Sequence, residues 1–180
     1  MIIEGRVWIL NDDDINTDLI FPGKYTYEPL EPKEQAKYAM EDYDPAFVNQ
    51  VKQHDIVVTG KNFGCGSSRE QAVTCLKFAG VDAIVAKSFA RLFYRNSINA
   101  ALAVIECPDL AESILNEVTG PGSHLSQFVM SIDLAKGKIA LGQKEFSFPP
   151  WDEQAMLIFK AGGLVDYTKQ QLKDQAKKGL

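Results

Sequence analysis

The chain has 180 residues, of which 46% are hydrophobic and 24% are charged, and its net charge is −5. These values are typical of a globular protein with a sizeable core, and the acidic balance excludes the broad basic surface of a general nucleic-acid binder. No stretch approaches the ~18 consecutive apolar residues that a membrane span needs, and the first residues lack the layout of a signal peptide, so we expect a cytoplasmic protein with no membrane partner.

The pattern of apolar residues predicts an α/β fold. Short apolar runs indicate buried strands, and apolar residues at three- and four-residue spacing indicate helices. Strand–helix–strand spacing in the middle of the chain implies right-handed crossovers and a mostly parallel central sheet, to which the last third adds two antiparallel strands. We expect one domain over residues 1–180. The predicted strands are 6–10, 55–59, 81–86, 101–105, 127–133 and 138–141, and the predicted helices are 34–40, 44–51, 72–79, 89–99, 109–118, 152–160 and about 166–180.

Three consecutive aspartates follow the first predicted strand, at residues 12–14. A calcium loop is one interpretation, but the segment lacks the mid-loop glycine and closing glutamate of an EF-hand. We therefore interpret Asp12 and Asp13 as turn residues whose side chains bond their own backbone. The later segment 24–33 contains two prolines, which predict an exposed loop.

A glycine-rich turn joins the strand at 55–59 to the following helix. Residues 60–70 read Gly-Lys-Asn-Phe-Gly-Cys-Gly-Ser-Ser-Arg-Glu. Gly64 and Gly66 permit positive φ angles and allow the backbone to approach a bound group closely. The turn leads into a helix N-terminus, where free N–H groups and the helix dipole favour an anion.

The polar residues of the turn allow two interpretations. Ser67 occupies the place of an N-cap, and Ser67 and Glu70 have the spacing of a capping box, so the serines could serve only to start the helix. Arg69 adds a planar fork of donors that suits a carboxylate or phosphate. Together with the glycines, Arg69 favours a small-anion site.

The cysteines and histidines do not form a metal-binding pattern. Cys65, Cys75 and Cys107 contain no Cys-x-x-Cys pair, and their odd number argues against a disulfide framework. His54 and His124 are not spaced as a ligand pair. Cys65 lies inside the glycine turn, but a nucleophilic role needs an adjacent base and no histidine is close in sequence.

Four segments resemble the aconitase superfamily, in its separate small or "swivel" subunit. The likeness spans most of residues 5–165 and implies an aconitase-type swivelling β/β/α domain with a C-terminal helical extension. It departs from the usual pattern at Gln71, where many relatives have histidine, and at Ala101, where glycine is usual. The segments are 62–70, 14–20 with Pro22, 88–99 and 161–164.

This resemblance implies a hydro-lyase that removes a hydroxyl from a hydroxy-diacid and adds water back at the adjacent carbon. The branch it resembles most isomerises 2-isopropylmalate and 3-isopropylmalate in leucine biosynthesis. By resemblance, Ser67 is the base, acting as an alkoxide, and Asp18 assists the active site through a histidine of the partner. Gly66, Ser68 and Arg69 are then expected to bind the substrate.

The resemblance also implies a cofactor and a partner that this chain does not supply. The family uses a [4Fe–4S] cluster bound by a separate large subunit. We therefore expect an obligate heterodimer or heterotetramer, with the active site at the interface between the subunits and no metal bound by this chain.

The expected substrate-specificity loop is 24–30. It has no arginine for a third carboxylate, and Tyr25, Thr26, Tyr27 and Leu30 suit an alkyl group. Two alternatives stay open from the sequence: the small subunit of a homoaconitase or dimethylmalate-type dehydratase, and a non-catalytic carboxylate-binding module.

Overall fold

A mixed sheet forms the centre of the computed structural model, which describes residues 1–27, 29–118, 120 and 122–177. Among these residues the strands are β1 (Ile2–Leu10), β2 (Asp55–Thr59), β3 (Val81–Ala86), β4 (Ala103–Glu106), β5 (Ser123–Asp133), β6 (Lys138–Leu141) and β7 (Lys144–Ser147). Their order across the sheet is β4-β3-β2-β1-β5-β6-β7. β1 to β4 run parallel, and β5, β6 and β7 pair antiparallel. The α/β fold class is thus confirmed.

Helices cover both faces of the parallel half. They are α1 (Thr17–Ile20), α2 (Pro32–Gln35), α3 (Phe47–Gln50), α4 (Gln71–Ala79), α5 (Arg91–Asn99), α6 (Pro108–Leu115), α7 (Glu153–Lys160) and α8 (Leu164–Lys177). Two single 3₁₀ turns occur at Gly23–Tyr25 and Ala36–Tyr38. None of the helices in the described ranges is long and apolar enough to cross a membrane.

The sheet separates two hydrophobic cores. Ile56 and Val58 of β2 face the core that includes α6, whereas Val57 faces the core that includes α4 and α5. Every residue of β2 is buried for this reason. A strand covered on both faces reads as a continuous apolar run, which is why its bounds were predictable.

The predicted strands 55–59 and 81–86 are confirmed at their expected bounds. β1 and β5 begin earlier than predicted because the two strands pair along most of their length. β4 begins at Ala103 instead of residue 101, since Ala101 has a φ of +54°, which no strand accommodates. The polar edge strand β7 was not predicted.

The helix predictions near the N-terminus had wrong bounds: the first helix begins two residues earlier than predicted, so residues 32 and 33 of the predicted loop 24–33 are helical, and the second is shorter than predicted. The predicted helix 34–40 is α2 followed by a 3₁₀ turn, with Pro32 at its first position, where proline is well tolerated. The predicted helix 44–51 is α3 alone. Glu28 of the predicted loop, and residues 178–180 of the predicted tail helix, lie outside the described residues.

The buried carboxylate of Asp55, at the start of β2, accepts hydrogen bonds from side chains of β1. Asp55 is 1% exposed and accepts hydrogen bonds from Arg6 Nε at 2.9 Å and Arg6 Nη2 at 2.6 Å. It also accepts from Trp8 Nε1 and from the Lys52 N–H, each at 2.8 Å. The carboxylate therefore satisfies donors of three residues that would otherwise lose their partner in a largely buried place.

We predict that Asp55→Ala lowers the free energy of unfolding of the chain by about 3 kcal/mol, because the substitution leaves a charge and an indole N–H without their acceptor. Urea unfolding followed by circular dichroism measures the change. Glu145→Ala is the matched control, since Glu145 pairs with Lys138 on the surface and should have little effect. Equal stability of the two variants would contradict the role of Asp55.

Candidate active site

Three loops meet where the parallel strands β1, β2 and β3 end. Main-chain hydrogen bonds join the first two loops: Asp14 N–H donates to the Lys61 carbonyl at 2.9 Å, and Gly64 N–H to the Ile15 carbonyl at 2.8 Å. Thr17 N–H donates to the Cys65 carbonyl at 2.8 Å. The carboxyl ends of parallel strands are where open α/β sheets bind ligands, so this edge is the candidate site.

The third loop joins the first two at Phe63. Phe63 N–H donates to the Ser88 carbonyl at 3.1 Å, and Ala90 N–H donates to the Phe63 carbonyl at 2.9 Å. The Ser88 hydroxyl accepts from Asn62 N–H at 2.9 Å. From its place before the predicted helix 89–99, Ser88 was expected to be the N-cap of that helix. Its hydroxyl bonds the glycine turn instead, and the helix begins only at Arg91.

The aspartates of the first loop also bond outward. Asp13 Oδ1 accepts from Lys61 N–H at 2.6 Å, and Asp12 Oδ2 accepts from the Tyr43 hydroxyl at 2.7 Å. The prediction that Asp12 and Asp13 bond their own backbone was wrong. Tertiary neighbours supply better donors than the local turn does.

Both glycines of the turn have the backbone that the sequence predicted. Gly64 has a φ of +76° and Gly66 a φ of +91°. A Cβ at Gly64 would lie 2.2 Å from Phe93 Cγ, so only glycine allows α5 to pack directly on the turn. Gly66 lies against Thr17: a Cβ added at Gly66 would lie 3.4 Å from Thr17 Oγ1.

Ser67 and Ser68 are exposed and lie before the helix. α4 begins at Gln71, its N-cap is Glu70, and no side chain caps it. Of the two interpretations of the serines, the one in which Ser67 caps the helix through a capping box is therefore wrong, and the Ser67 hydroxyl takes no part in starting the helix. Among the described residues, the N–H groups of Ser67, Ser68 and Arg69 donate to no acceptor, which leaves them available to an anion.

Arg69 and Asp18, which the sequence singled out separately, form an ion pair. Arg69 Nη2 lies 2.6 Å from Asp18 Oδ1; the Arg69 side chain is 18% exposed and that of Asp18 is 60% exposed. Arg69 Nη2 also approaches Thr17 Oγ1 at 3.4 Å. The Arg69 Nε is buried and has no partner among the described residues. The guanidinium thus retains donor capacity beside an open turn.

Gly23 packs directly against both members of this ion pair. A Cβ at Gly23 would lie 3.0 Å from Asp18 Oδ1 and 3.4 Å from Arg69 Nη1. The side chain of Asn16 caps the short helix α1, where its Oδ1 accepts from Asp18 N–H at 2.9 Å and Leu19 N–H at 3.0 Å. This cap fixes the position of Asp18.

Two residues that contact the site were not predicted, namely Thr17 and Asn96. Asn96 Nδ2 donates to the Ser68 carbonyl at 3.3 Å. A signal for Asn96 exists in the sequence, because it lies three residues after Phe93 and so shares the inner face of α5. Thr17 lies in the segment 14–20 and Asn96 in the segment 88–99, both of which resemble the family, but the sequence predicted no role for either residue.

The predicted specificity loop lines a cavity of about 430 Å³. Tyr25 stacks on Tyr38 with ring centroids 3.7 Å apart, and its hydroxyl donates to Glu41 at 3.0 Å. The Thr26 hydroxyl donates to the Gly23 carbonyl at 2.7 Å, whereas Tyr27 is 89% exposed. The lining residues are Phe21, Tyr25, Thr26, Tyr27, Pro29, Leu30, Gln35 and Gln71.

The thiols of this chain do not fit an iron–sulfur cluster. In the described part of the chain, no three His, Cys, Asp or Glu side chains are grouped so as to hold a metal ion. Cys75 and Cys107 are buried apart from the turn. Burial, together with the negative charge of Asp14, raises the pKa of the Cys65 thiol, which disfavours the nucleophilic thiolate.

Comparison with known proteins identifies the family. The Aconitase C-terminal domain family matches residues 11–110. A 3-isopropylmalate dehydratase small subunit from Caldicellulosiruptor saccharolyticus is 44% identical over 98% of this chain and 96% of its own length. The isopropylmalate/citramalate isomerase small subunit of Methanocaldococcus jannaschii is 42% identical over 95% of this chain and 96% of its own length.

A solved structure agrees over the whole chain. The crystal structure of a 3-isopropylmalate dehydratase from Methanocaldococcus jannaschii has a TM-score of 0.83 and 39% identity, and the match covers 99% of both chains. The agreement extends beyond the residues matched by the family, to the antiparallel strands and the C-terminal helices. The chain therefore belongs to the aconitase C-terminal domain family, among the small subunits of 3-isopropylmalate dehydratases.

Proposed function

We propose that this chain is the small subunit of a hydro-lyase that interconverts 2-isopropylmalate and 3-isopropylmalate by dehydration and rehydration, together with a large subunit. Relatives that span nearly the whole chain support this activity. The observation that carries the proposal is the open Ser67–Arg69 turn, whose N–H groups donate to no acceptor among the described residues. In this proposal the whole chain acts as one swivel domain.

Ser67 is the proposed base. Its oxygen, as an alkoxide, takes the proton from the carbon next to a substrate carboxylate, and the C–H electron pair becomes the new C=C bond. The hydroxyl leaves the neighbouring carbon as hydroxide, for which the large subunit would supply the acceptor. A serine hydroxyl is too weakly acidic for this role in water, so the alkoxide needs donors close to it. The N–H groups of the turn and the Arg69 guanidinium are such donors, held in place before the reaction begins.

Arg69 and Ser68 are the proposed carboxylate-binding residues. The guanidinium is mostly buried yet borders the open turn, and part of its donor set has no partner among the described residues. Charge-assisted hydrogen bonds from a fixed fork are among the strongest that a carboxylate can receive. Asp18 shares this guanidinium and is proposed to assist catalysis from the same place.

The electrophile comes from outside this chain in the proposal. The thiols described above do not fit a cluster, so we assign the [4Fe–4S] cluster that the family resemblance implies to the large subunit. The active site is then completed at the interface of a heterodimer or heterotetramer. This chain supplies the base, the residues that bind the substrate carboxylate, and the lining of the cavity.

The cavity lined by the predicted specificity loop is the proposed site for the alkyl group of the substrate. Phe21, Pro29 and Leu30 give it an apolar lining, and the tyrosine rings extend this surface. Discrimination by an apolar pocket is worth only about 1–3 kcal/mol per methylene-sized difference. Citramalate, which appears in the name of one relative, is therefore the competitor to test.

We predict that the chain reconstituted with its large subunit isomerises 2-isopropylmalate, whereas the chain alone does not. Absorbance of the unsaturated intermediate and chromatography of the products measure the reaction, and light scattering gives the subunit ratio. Citramalate and homocitrate are the comparison substrates. Turnover by the chain alone, or faster turnover of homocitrate, would contradict the proposal.

We predict that Ser67→Ala in the reconstituted pair lowers kcat by at least about 100-fold, because the base is lost while the carboxylate contacts remain. Steady-state kinetics should show KM within about threefold of wild type, since ground-state binding is retained. Ser147→Ala, which removes an exposed hydroxyl on β7, is the control. Unchanged turnover in Ser67→Ala would leave Ser67 without a catalytic role.

We predict that Arg69→Lys raises KM about 10- to 100-fold, which corresponds to the loss of about 1.5–3 kcal/mol from charged hydrogen bonds. The shorter point charge of lysine cannot bind a carboxylate with two parallel bonds. Arg95→Lys, at an exposed position of α5, is the control for the substitution itself. If KM is unchanged in Arg69→Lys, the carboxylate is bound elsewhere.

A further inference from the structure

Helix α5 contacts the glycine turn at two places, through Phe93 and through Asn96. Phe93 packs against Gly64, where even a Cβ would overlap its ring. One turn further along the helix, the partly buried Asn96 donates from Nδ2 to the Ser68 carbonyl at 3.3 Å. Among the described residues, no other side chain bonds the main chain of residues 67–69. Asn96 is therefore placed to set the orientation of the Ser68–Arg69 peptide.

The orientation of this peptide decides where the Arg69 N–H points. The described residues contain no cis peptide bond, and in a trans peptide the carbonyl oxygen and the N–H point to opposite sides. Because Asn96 draws the Ser68 carbonyl towards α5, the Arg69 N–H faces away from α5. It donates to no acceptor among the described residues, so it remains available on the open side of the turn.

The Arg69 N–H also has the right separation from Ser67 in the sequence. The structure shows no bond between the Arg69 N–H and the Ser67 oxygen, but the Ser67 side chain is exposed and reaches this N–H by rotating about χ1 when it ionises. A serine oxygen commonly accepts from the main-chain N–H two residues further on, and Arg69 is two residues after Ser67. An N–H held in a fixed direction stabilises a neighbouring alkoxide without reorganising during the reaction. The same N–H would lose this direction if the peptide were free to rotate.

We infer that Asn96 is a positioning residue: it fixes the Ser68–Arg69 peptide so that the Arg69 N–H stabilises the Ser67 alkoxide. This inference rests on the proposed function, because it takes Ser67 as the base. Asn96 itself touches no reacting atom and acts through the peptide. Its loss should therefore affect the chemical step and the acidity of the base more than the binding of substrate.

The test uses the full chain reconstituted with the large subunit, carrying Asn96→Asp or Asn96→Ala. Asn96→Asp keeps the shape of the side chain but removes the donor, and Asn96→Ala removes both. We expect kcat to fall about 10- to 100-fold, as for a displaced catalytic group, with KM within about threefold of wild type. The limb of the pH–rate profile that reports the base should move to higher pH, because a less stabilised alkoxide has a higher pKa.

Asn99→Ala is the matched control, since Asn99 lies on the same helix and its side chain makes no hydrogen bond within the described ranges. Its kinetics and pH profile should match wild type. Thermal unfolding of all three variants checks the fold. Loss of fold in both Asn96 variants would overturn the inference, because the residue would then act on stability.

Two further results separate this inference from the proposed function. Wild-type kcat and pH profile in Asn96→Asp would overturn the positioning role while leaving the proposed function intact, as would a rise in KM alone. An inactive wild-type pair would overturn the proposed function and, with it, the basis of the inference.

Discussion

Hydrogen bonds between main-chain groups hold the loops after β1, β2 and β3 side by side. They can form because the strands end at the same level: Leu10 pairs with Thr59, and Thr59 pairs with Ala86. Loops that leave a parallel sheet in register run next to one another and satisfy each other's N–H and carbonyl groups. The positions of Asp18, of the glycine turn and of α5 all follow from this register.

The parts of the fold that the sequence predicted best are those with the strongest local signal. β2 and β3 are buried on both faces, so their apolar runs have clear ends. The capping residues were harder to predict, because a serine before a helical segment can bond to the helix or to another loop. Ser67 and Ser88 both have the pattern of a cap, yet Ser88 bonds Asn62 and Ser67 precedes the first helical turn by several residues. Tertiary contacts decide between these outcomes, and no local pattern records them.

The sequence predicted the main residues of the candidate site but not the contacts between them. The resemblance to a family pointed to Ser67, Arg69 and Asp18, and the structure brings Arg69 and Asp18 into direct contact. The contacts that shape the turn join residues far apart in sequence: Thr17 and Arg69 are 52 residues apart, and Ser68 and Asn96 are 28 apart. Which side chains meet across such distances depends on the register of the sheet and the packing of α5, and neither can be read from spacing alone.

The ion pair between Asp18 and Arg69 also affects how the turn responds to other anions. Because both residues belong to one chain, the carboxylate of Asp18 stays near the guanidinium at an effective concentration on the order of millimolar or higher. A simple anion such as sulfate must compete with this tethered carboxylate for the same donors. A ligand that also contacts the main-chain N–H groups or the cavity wall has further attractions and competes more effectively. If the turn binds the substrate carboxylate as proposed, the tethered Asp18 therefore favours multidentate acids over the small inorganic anions that surround the protein in solution.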